Sequence, residues 1–157
     1  MKVITIRQPW ATLVALGEKQ FETRSWKTEY RGELAIHAGK AIDKTICQLE
    51  PYRSVLQRHG YSTEQLPLGA VIAVGRLEQC HYVGTDLGTA AILGDDSYIV
   101  EGTEYAFGDY TEGRFAWKIG GMRLLERPLS ATGRLGLWNL PDNQLLKMDE
   151  VQHTWSK

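Results

Sequence analysis

Gly17-Glu18-Lys19-Gln20-Phe21-Glu22-Thr23-Arg24-Ser25-Trp26 is the stretch whose reading decides this chain. It is too polar and too varied to be ordinary core. Just before it, Pro9-Trp10-Ala11-Thr12-Leu13-Val14-Ala15-Leu16 has the pattern of a short apolar helix with proline near its first position. Gly17 then sits where a helix ends on a left-handed residue, and a strand is expected to follow. Lys19, Glu22 and Arg24 thereby fall at the seam between a helix end and a strand start, where charged groups can converge on a groove. Strand alternation alone would place Gln20, Glu22, Arg24 and Trp26 on one face and Lys19, Phe21, Thr23 and Ser25 on the other. Lys19 and Glu22 can then meet only if residues 17–20 are still turning out of the helix. The plainer alternative is a surface pair of Glu22 and Arg24 with Lys19 in solvent, worth roughly 0 to 1 kcal/mol.

The spacing Gly17-x-Lys19-x-x-Glu22-x-Arg24 resembles the GxKxxExR signature of the ASCH family. Its surroundings match as well: Ile4-Thr5-Ile6-Arg7-Gln8-Pro9-Trp10-Ala11 before it, Ser25-Trp26 and Tyr30-Arg31-Gly32 after it, then Leu34-Ala35-Ile36-His37-Ala38. Gly136-Leu137-Trp138-Asn139-Leu140 resembles the family's closing strand. The likeness runs over most of residues 2–140 and is most specific in the N-terminal third. It implies an α+β fold, a mixed and mainly antiparallel PUA-like β-barrel with short flanking helices, similar to the RNA-binding PUA domain.

The implied function is binding of nucleic acid, RNA foremost, or of a nucleotide, in a groove between the first helix and the signature strand. Some small bacterial ASCH proteins resemble amidohydrolases that deacetylate 4-acetylcytidine, and others resemble ribonucleases, so a hydrolase is the first alternative. In the amidohydrolase type the signature lysine, here Lys19, works on the acyl group. That pattern has a threonine where this chain has Glu22. An activated lysine has to lose its proton, and a carboxylate beside it opposes that loss. A ribonuclease would need acid and base groups, for which Glu22, Tyr30 and His37 are candidates beside Lys19. His37 also fits a hydrogen-bonded histidine at the end of an apolar strand.

The 157 residues are expected to form one domain, with an acidic glycine-rich insertion at about 84–113 and a C-terminal helix at about 142–154. At 43% hydrophobic and 24% charged, with no low-complexity run, the composition is that of a globular chain and not of a disordered or fibrous one. No apolar stretch approaches the roughly 18 residues of a membrane span, and Lys2 and Arg7 interrupt the N-terminal apolar run, so a cytoplasmic protein is expected. Cys47 and Cys80 are far apart and without metal-ligand spacing, as are the four histidines, so free thiols, no metal and no cofactor are expected.

The net charge of -1 hides a polarised distribution. Residues 77–113 hold eight acids and no lysine or arginine, which leaves the rest of the chain net basic and able to attract phosphate. Alternatively the acidic segment is itself a recognition surface for a protein partner, or plain solvated surface.

Lys2 to Ile6 reads as a first strand, Glu33 to His37 as a second, ended by Ala38-Gly39-Lys40. Asp43 can cap a helix toward His59, broken or kinked at Pro51. Ala70 to Leu77 is the most strand-like run and is expected at the centre of the sheet, extending toward Tyr82. The acidic segment reads as loops and turns. A strand from Arg114 to Ile119 is expected to break at Gly120-Gly121 and resume over Met122 to Leu125, and Gly133 to Leu140 closes the sheet. The groove would offer Lys19, Arg24, Lys27, Arg31 and Lys40 for phosphates, Glu22 to orient Arg24 or read a base, and Trp10, Trp26 or Tyr30 for stacking. Trp117 and Trp138 are expected in the core.

Overall fold

β4 (Ala70–Asp86) and β7 (Phe115–Ser130) are long antiparallel partners about which the sheet is built. The computed structural model describes residues 1–94 and 98–153, with side chains described as far as Met148. β1 (Lys2–Gln8) leads into α1 (Trp10–Ala15), then β2 (Phe21–Arg24) and β3 (Gly32–Ile42). Two short helices follow, α2 (Lys44–Cys47) and α3 (Tyr52–Arg58), before β4. The chain continues through β5 (Ala90–Leu93), β6 (Tyr98–Glu101) and α4 (Gly102–Phe107) to β7, β8 (Leu137–Asn139) and α5 (Asp142–His153). The main sheet runs β2-β7-β4-β3-β1-β8, and β5 and β6 extend from the far half of β4. β1 and β3 are parallel and the other pairs are antiparallel. The chain is thus α+β with a mixed, mainly antiparallel sheet. The expected closure into a barrel is not made: β2 and β8 are the ends of the strand path and do not pair.

Both faces of the sheet are covered, which is why β1, β3 and β4 read as nearly continuous apolar runs. Ile4, Leu34, Ile36, Ala73 and Trp117 pack under α1. Val3, Ala35, Val74, Trp138 and Met148 of α5 form the opposite layer. In α5, Met148 is buried while Leu146 is exposed. α1 is pinned by the buried Gln8, whose amide bonds the backbone N–H and hydroxyl of Thr12 and the carbonyl of Pro67.

Several boundaries differ from the sequence expectation, each for a tertiary reason. β3 does not stop at Lys40, because β1 runs beside it as far as the Gln8–Ile42 pair. β7 does not break at Gly120-Gly121: the register shifts there and the strand continues, so the glycines form a bulge. Gly75 on β4 lies opposite, where a Cβ would stand 2.7 Å from the Gly120 carbonyl oxygen. The acidic segment is not a set of loops. It is the β5–β6 pair followed by α4, and it buries Ala91, Leu93, Val100 and Tyr110 against Phe21 and Val83. Asp95 and Asp96 of that segment and Trp155 lie outside the described residues. Asp43 caps α2 through its side chain, and the helix is broken before Tyr52 as Pro51 requires. No helix among the described residues is long and apolar enough to cross a membrane.

Candidate functional site

The turn after α1 solves the geometric problem that alternation poses for Lys19 and Glu22. Gly17 is left-handed (φ 75°). Its N–H donates to Val14 O, and that of Glu18 to Leu13 O, both at 3.0 Å. This pair of bonds is the Schellman closure of a helix. Leu13 O also accepts from Lys19 N–H, so the chain is still turning at Lys19 and enters β2 only at Phe21. The Lys19 side chain is therefore free of the strand's alternation. Its ammonium donates to the Phe21 carbonyl and, at 3.4 Å, to Glu22 Oε1.

Glu22 joins two cations. Its Oε2 accepts from Arg24 Nε at 3.3 Å and from a terminal guanidinium nitrogen at 2.9 Å, and that nitrogen also donates to Thr5 O at 2.9 Å. Lys19 is 1% exposed and Glu22 6%. Desolvating such a cluster costs several kcal/mol per ion before the pairing offsets it. Two cations and one carboxylate leave a positive charge at the base of a cleft.

That cleft has a volume of about 720 Å³. β1 contributes Thr5, Ile6 and Arg7 to it, and the helices contribute Trp10, Ile46 and Tyr52. Trp10 Nε1 donates to the Tyr52 hydroxyl at 3.2 Å, with the rings edge to face. The Tyr52 hydroxyl in turn donates to Ala106 O at 3.1 Å, so this aromatic wall is fixed at both ends. The acidic segment contributes Phe107, Gly108 and Asp109, and the adjoining Arg114 completes the lining. Asp109 is an anion, held below the usual carboxylate range by hydrogen bonds from Thr111, and it stands 3.5 Å from Arg114. With Arg7, Lys19, Arg24 and Arg114 against Glu22 and Asp109, cations predominate in the cleft.

Glu104 of α4, which the sequence did not single out, holds the signature segment from behind. Its carboxylate accepts from Gln20 N–H at 2.6 Å and Phe21 N–H at 3.4 Å. Burial pushes its carboxyl up, while those two N–H groups and the charge of Lys19 act in the opposite direction. Other carboxylates of the acidic segment are also engaged locally, Asp86 by Tyr105 and Gly88, and Asp109 by Thr111.

The structure brings Trp10, Lys19, Glu22 and Arg24 together and leaves the other candidates outside the cleft. Trp26 stacks edge to face on the buried Trp117 at 4.7 Å and accepts from its indole N–H through the backbone carbonyl. Lys27 is an exposed partner of Glu29 at 3.9 Å, and Arg31 bonds the carbonyls of Thr28 and Tyr30. The Tyr30 hydroxyl is given to Glu33 O. His37 and Lys40 line a different cleft, on the other side of Thr5. Of the residues missed, Arg7 and Tyr52 lay in plain view within a strand and a helix, but nothing in their spacing says which end of either element faces a cleft. Asp109 and Arg114 come from far along the chain.

A family model described as the ASCH domain matches residues 4–90, more than half of the chain. The match includes Lys19, Glu22 and Arg24 and ends before α4, Asp109 and Arg114. Among solved structures, the fold is similar to that of an ASCH protein from Zymomonas mobilis, at 15% identity and a TM-score of 0.54, over 95% of this chain and 93% of that one. A tyrosine-to-phenylalanine variant of the Zymomonas mobilis protein gives the same TM-score at 16% identity, over 95% of this chain and 96% of that one. No curated protein sequence matches the chain.

Proposed function

Since the chain belongs to the ASCH domain family, a PUA-like group often linked to RNA binding, we propose that the cleft over Lys19, Glu22 and Arg24 binds a nucleotide of a single-stranded nucleic acid, RNA foremost. The observation that carries this reading is the buried ion cluster itself. A fold that needed only packing there would be as stable or more so with apolar residues of the same size, so charges retained at the base of an open cleft point to a ligand. Lys19 does not reach phosphate directly in this reading. It fixes Glu22, and Glu22 fixes Arg24. The carboxylate keeps lone pairs that can accept an amino hydrogen from a base edge. Arg7 and Arg114 supply the phosphate contacts, and the Trp10–Tyr52 wall supplies a stacking face. Stacking on such a ring contributes roughly 1–3 kcal/mol per base and tolerates any base, while the cations give a salt-dependent term.

The test is fluorescence anisotropy with a short labelled single-stranded RNA at low and moderate salt, with 4-acetylcytidine and the RNA both checked for turnover by chromatography. Trp10→Ala and Arg114→Ala should each weaken binding by about tenfold or more, and Arg114→Ala should also flatten the salt dependence. Unchanged affinity in both variants would remove the cleft from the reading. Deacetylation or cleavage that disappears in Lys19→Met would replace it with a hydrolase.

A further inference from the structure

Thr5 is shared by two clefts. On the side away from Arg24 lies the second, of about 400 Å³, lined by His37, Gly39, Lys40, Gly69, Gly133 and Arg134 among others. His37 is 1% exposed, and its Nε2 lies 2.7 Å from Ala131 O. A carbonyl oxygen only accepts, so Nε2 carries the ring hydrogen and Nδ1 is a bare acceptor. That Nδ1 is buried and has no hydrogen-bond partner. A buried acceptor left unpaired is costly, and in a cleft wall it points to a donor on a ligand. Burial also holds the imidazole below its usual value, which keeps Nδ1 in its accepting form at neutral pH.

Residue 133 beside this acceptor is glycine, and no side chain would fit between its backbone and the ring. A Cβ there would stand 3.1 Å from His37 Nδ1, 2.9 Å from Cε1 and 3.0 Å from Thr5 Oγ1. Thr5 Oγ1 accepts from Trp138 Nε1 at 3.0 Å and has its own hydrogen to give. One acceptor and one donor thus belong to residues lining the same cleft, a pairing that suits the edge of a base. At the rim, Lys40 and Arg134 are exposed cations that make no ion pair among the described residues. Leu135, 99% exposed, adds an apolar surface beside them.

We propose that this second cleft seats the next nucleotide of the strand whose neighbour occupies the first. Its base donates an amino or imino hydrogen to His37 Nδ1, its phosphate lies toward Lys40 and Arg134, and the strand crosses at Thr5. This rests on the reading of the first cleft, and it makes the protein a reader of at least two adjacent nucleotides.

The experiment compares a mononucleotide with a trinucleotide of single-stranded RNA on the full chain, wild type beside Gly133→Ala and Lys40→Ala, with the His37 ring nitrogens followed by 15N NMR. Trinucleotide binding should weaken by about tenfold in each variant, as expected for loss of a base-edge or phosphate contact, while mononucleotide binding stays unchanged. His37 Nδ1 should shift with the trinucleotide and not with the mononucleotide. Lys40→Ala, at an exposed position, keeps the test valid if Gly133→Ala perturbs its loop. A trinucleotide affinity indifferent to Lys40→Ala, or a stationary Nδ1, overturns the second seat and leaves the first intact. If the wild-type protein binds neither ligand, the reading of the first cleft fails and this one falls with it.

Discussion

Two carboxylate–cation clusters stand close together in the sequence and could hardly differ more in the fold. Lys19, Glu22 and Arg24 lie at the base of a cleft, with the lysine and glutamate side chains 1% and 8% exposed. Lys27 and Glu29 face solvent at 69% and 90%, 3.9 Å apart. Residue type alone does not separate them. The separating feature is the backbone: the Gly17 turn directs Lys19 inward, whereas residues 27–31 form no strand and meet the core through Tyr30. Removing one partner therefore costs several kcal/mol in one place and almost nothing in the other.

The largest expected effect tests the buried member of that comparison. Glu22→Ala leaves Lys19 buried without its counter-charge and should cost about 3–5 kcal/mol of stability, read by chemical denaturation. A loss below about 1 kcal/mol would mean that the cluster is no more coupled than an exposed one.

Glu104→Ala should come next. It strips the acceptor from the N–H groups of Gln20 and Phe21 and should cost about 1–3 kcal/mol, with Glu104→Gln milder because an amide oxygen still accepts. Equal losses in the two variants would shift the role of Glu104 from hydrogen bonding to charge.

A pH series sharpens the contrast from the other clefted region. Burial lowers His37 below the ordinary 6.5, and burial with the charges of Arg31 and Lys118 lowers His81. At these two histidines the unfolded chain then takes up protons first, so their contribution to stability is level above about pH 6.5 and declines as the pH falls toward the folded values. His37→Gln, which can still donate to Ala131 O, should flatten that decline. A slope identical to wild type would contradict the part assigned to His37.

The smallest effect belongs to the exposed pair. Lys27→Ala should change stability by no more than about 0.5 kcal/mol and leave RNA affinity unaltered. A larger change in either would return Lys27 to the interface.

How much of this could be read in advance follows the same division. The helix, the Gly17 turn and β2 were legible because each is set by neighbours within a few residues. The central place of β4 was legible from its β-branched run. Closure of the main sheet was not, since whether β2 meets β8 depends on curvature accumulated over every strand between them. The acidic segment hid its structure because β5 and β6 have four residues each, too few for alternation to stand out among glycines and carboxylates. Part of the candidate site went unread for that reason: Phe107, Asp109 and Arg114 acquire their place only when α4 packs its Phe107 against Tyr52. Trp10 and Trp26 looked equivalent as stacking residues until packing on Trp117 drew Trp26 away from the cleft.

That last pair offers the most direct test. In a 15N-correlated NMR titration with a short single-stranded RNA, the indole N–H signals of Trp10 and Trp26 report separately on the cleft and on the turn beyond it. The account predicts a saturable shift of the Trp10 indole, with Arg24 Nε moving alongside it and Trp26 nearly still. A shift of Trp26 with Trp10 unmoved would contradict it and place the RNA on the exposed turn instead.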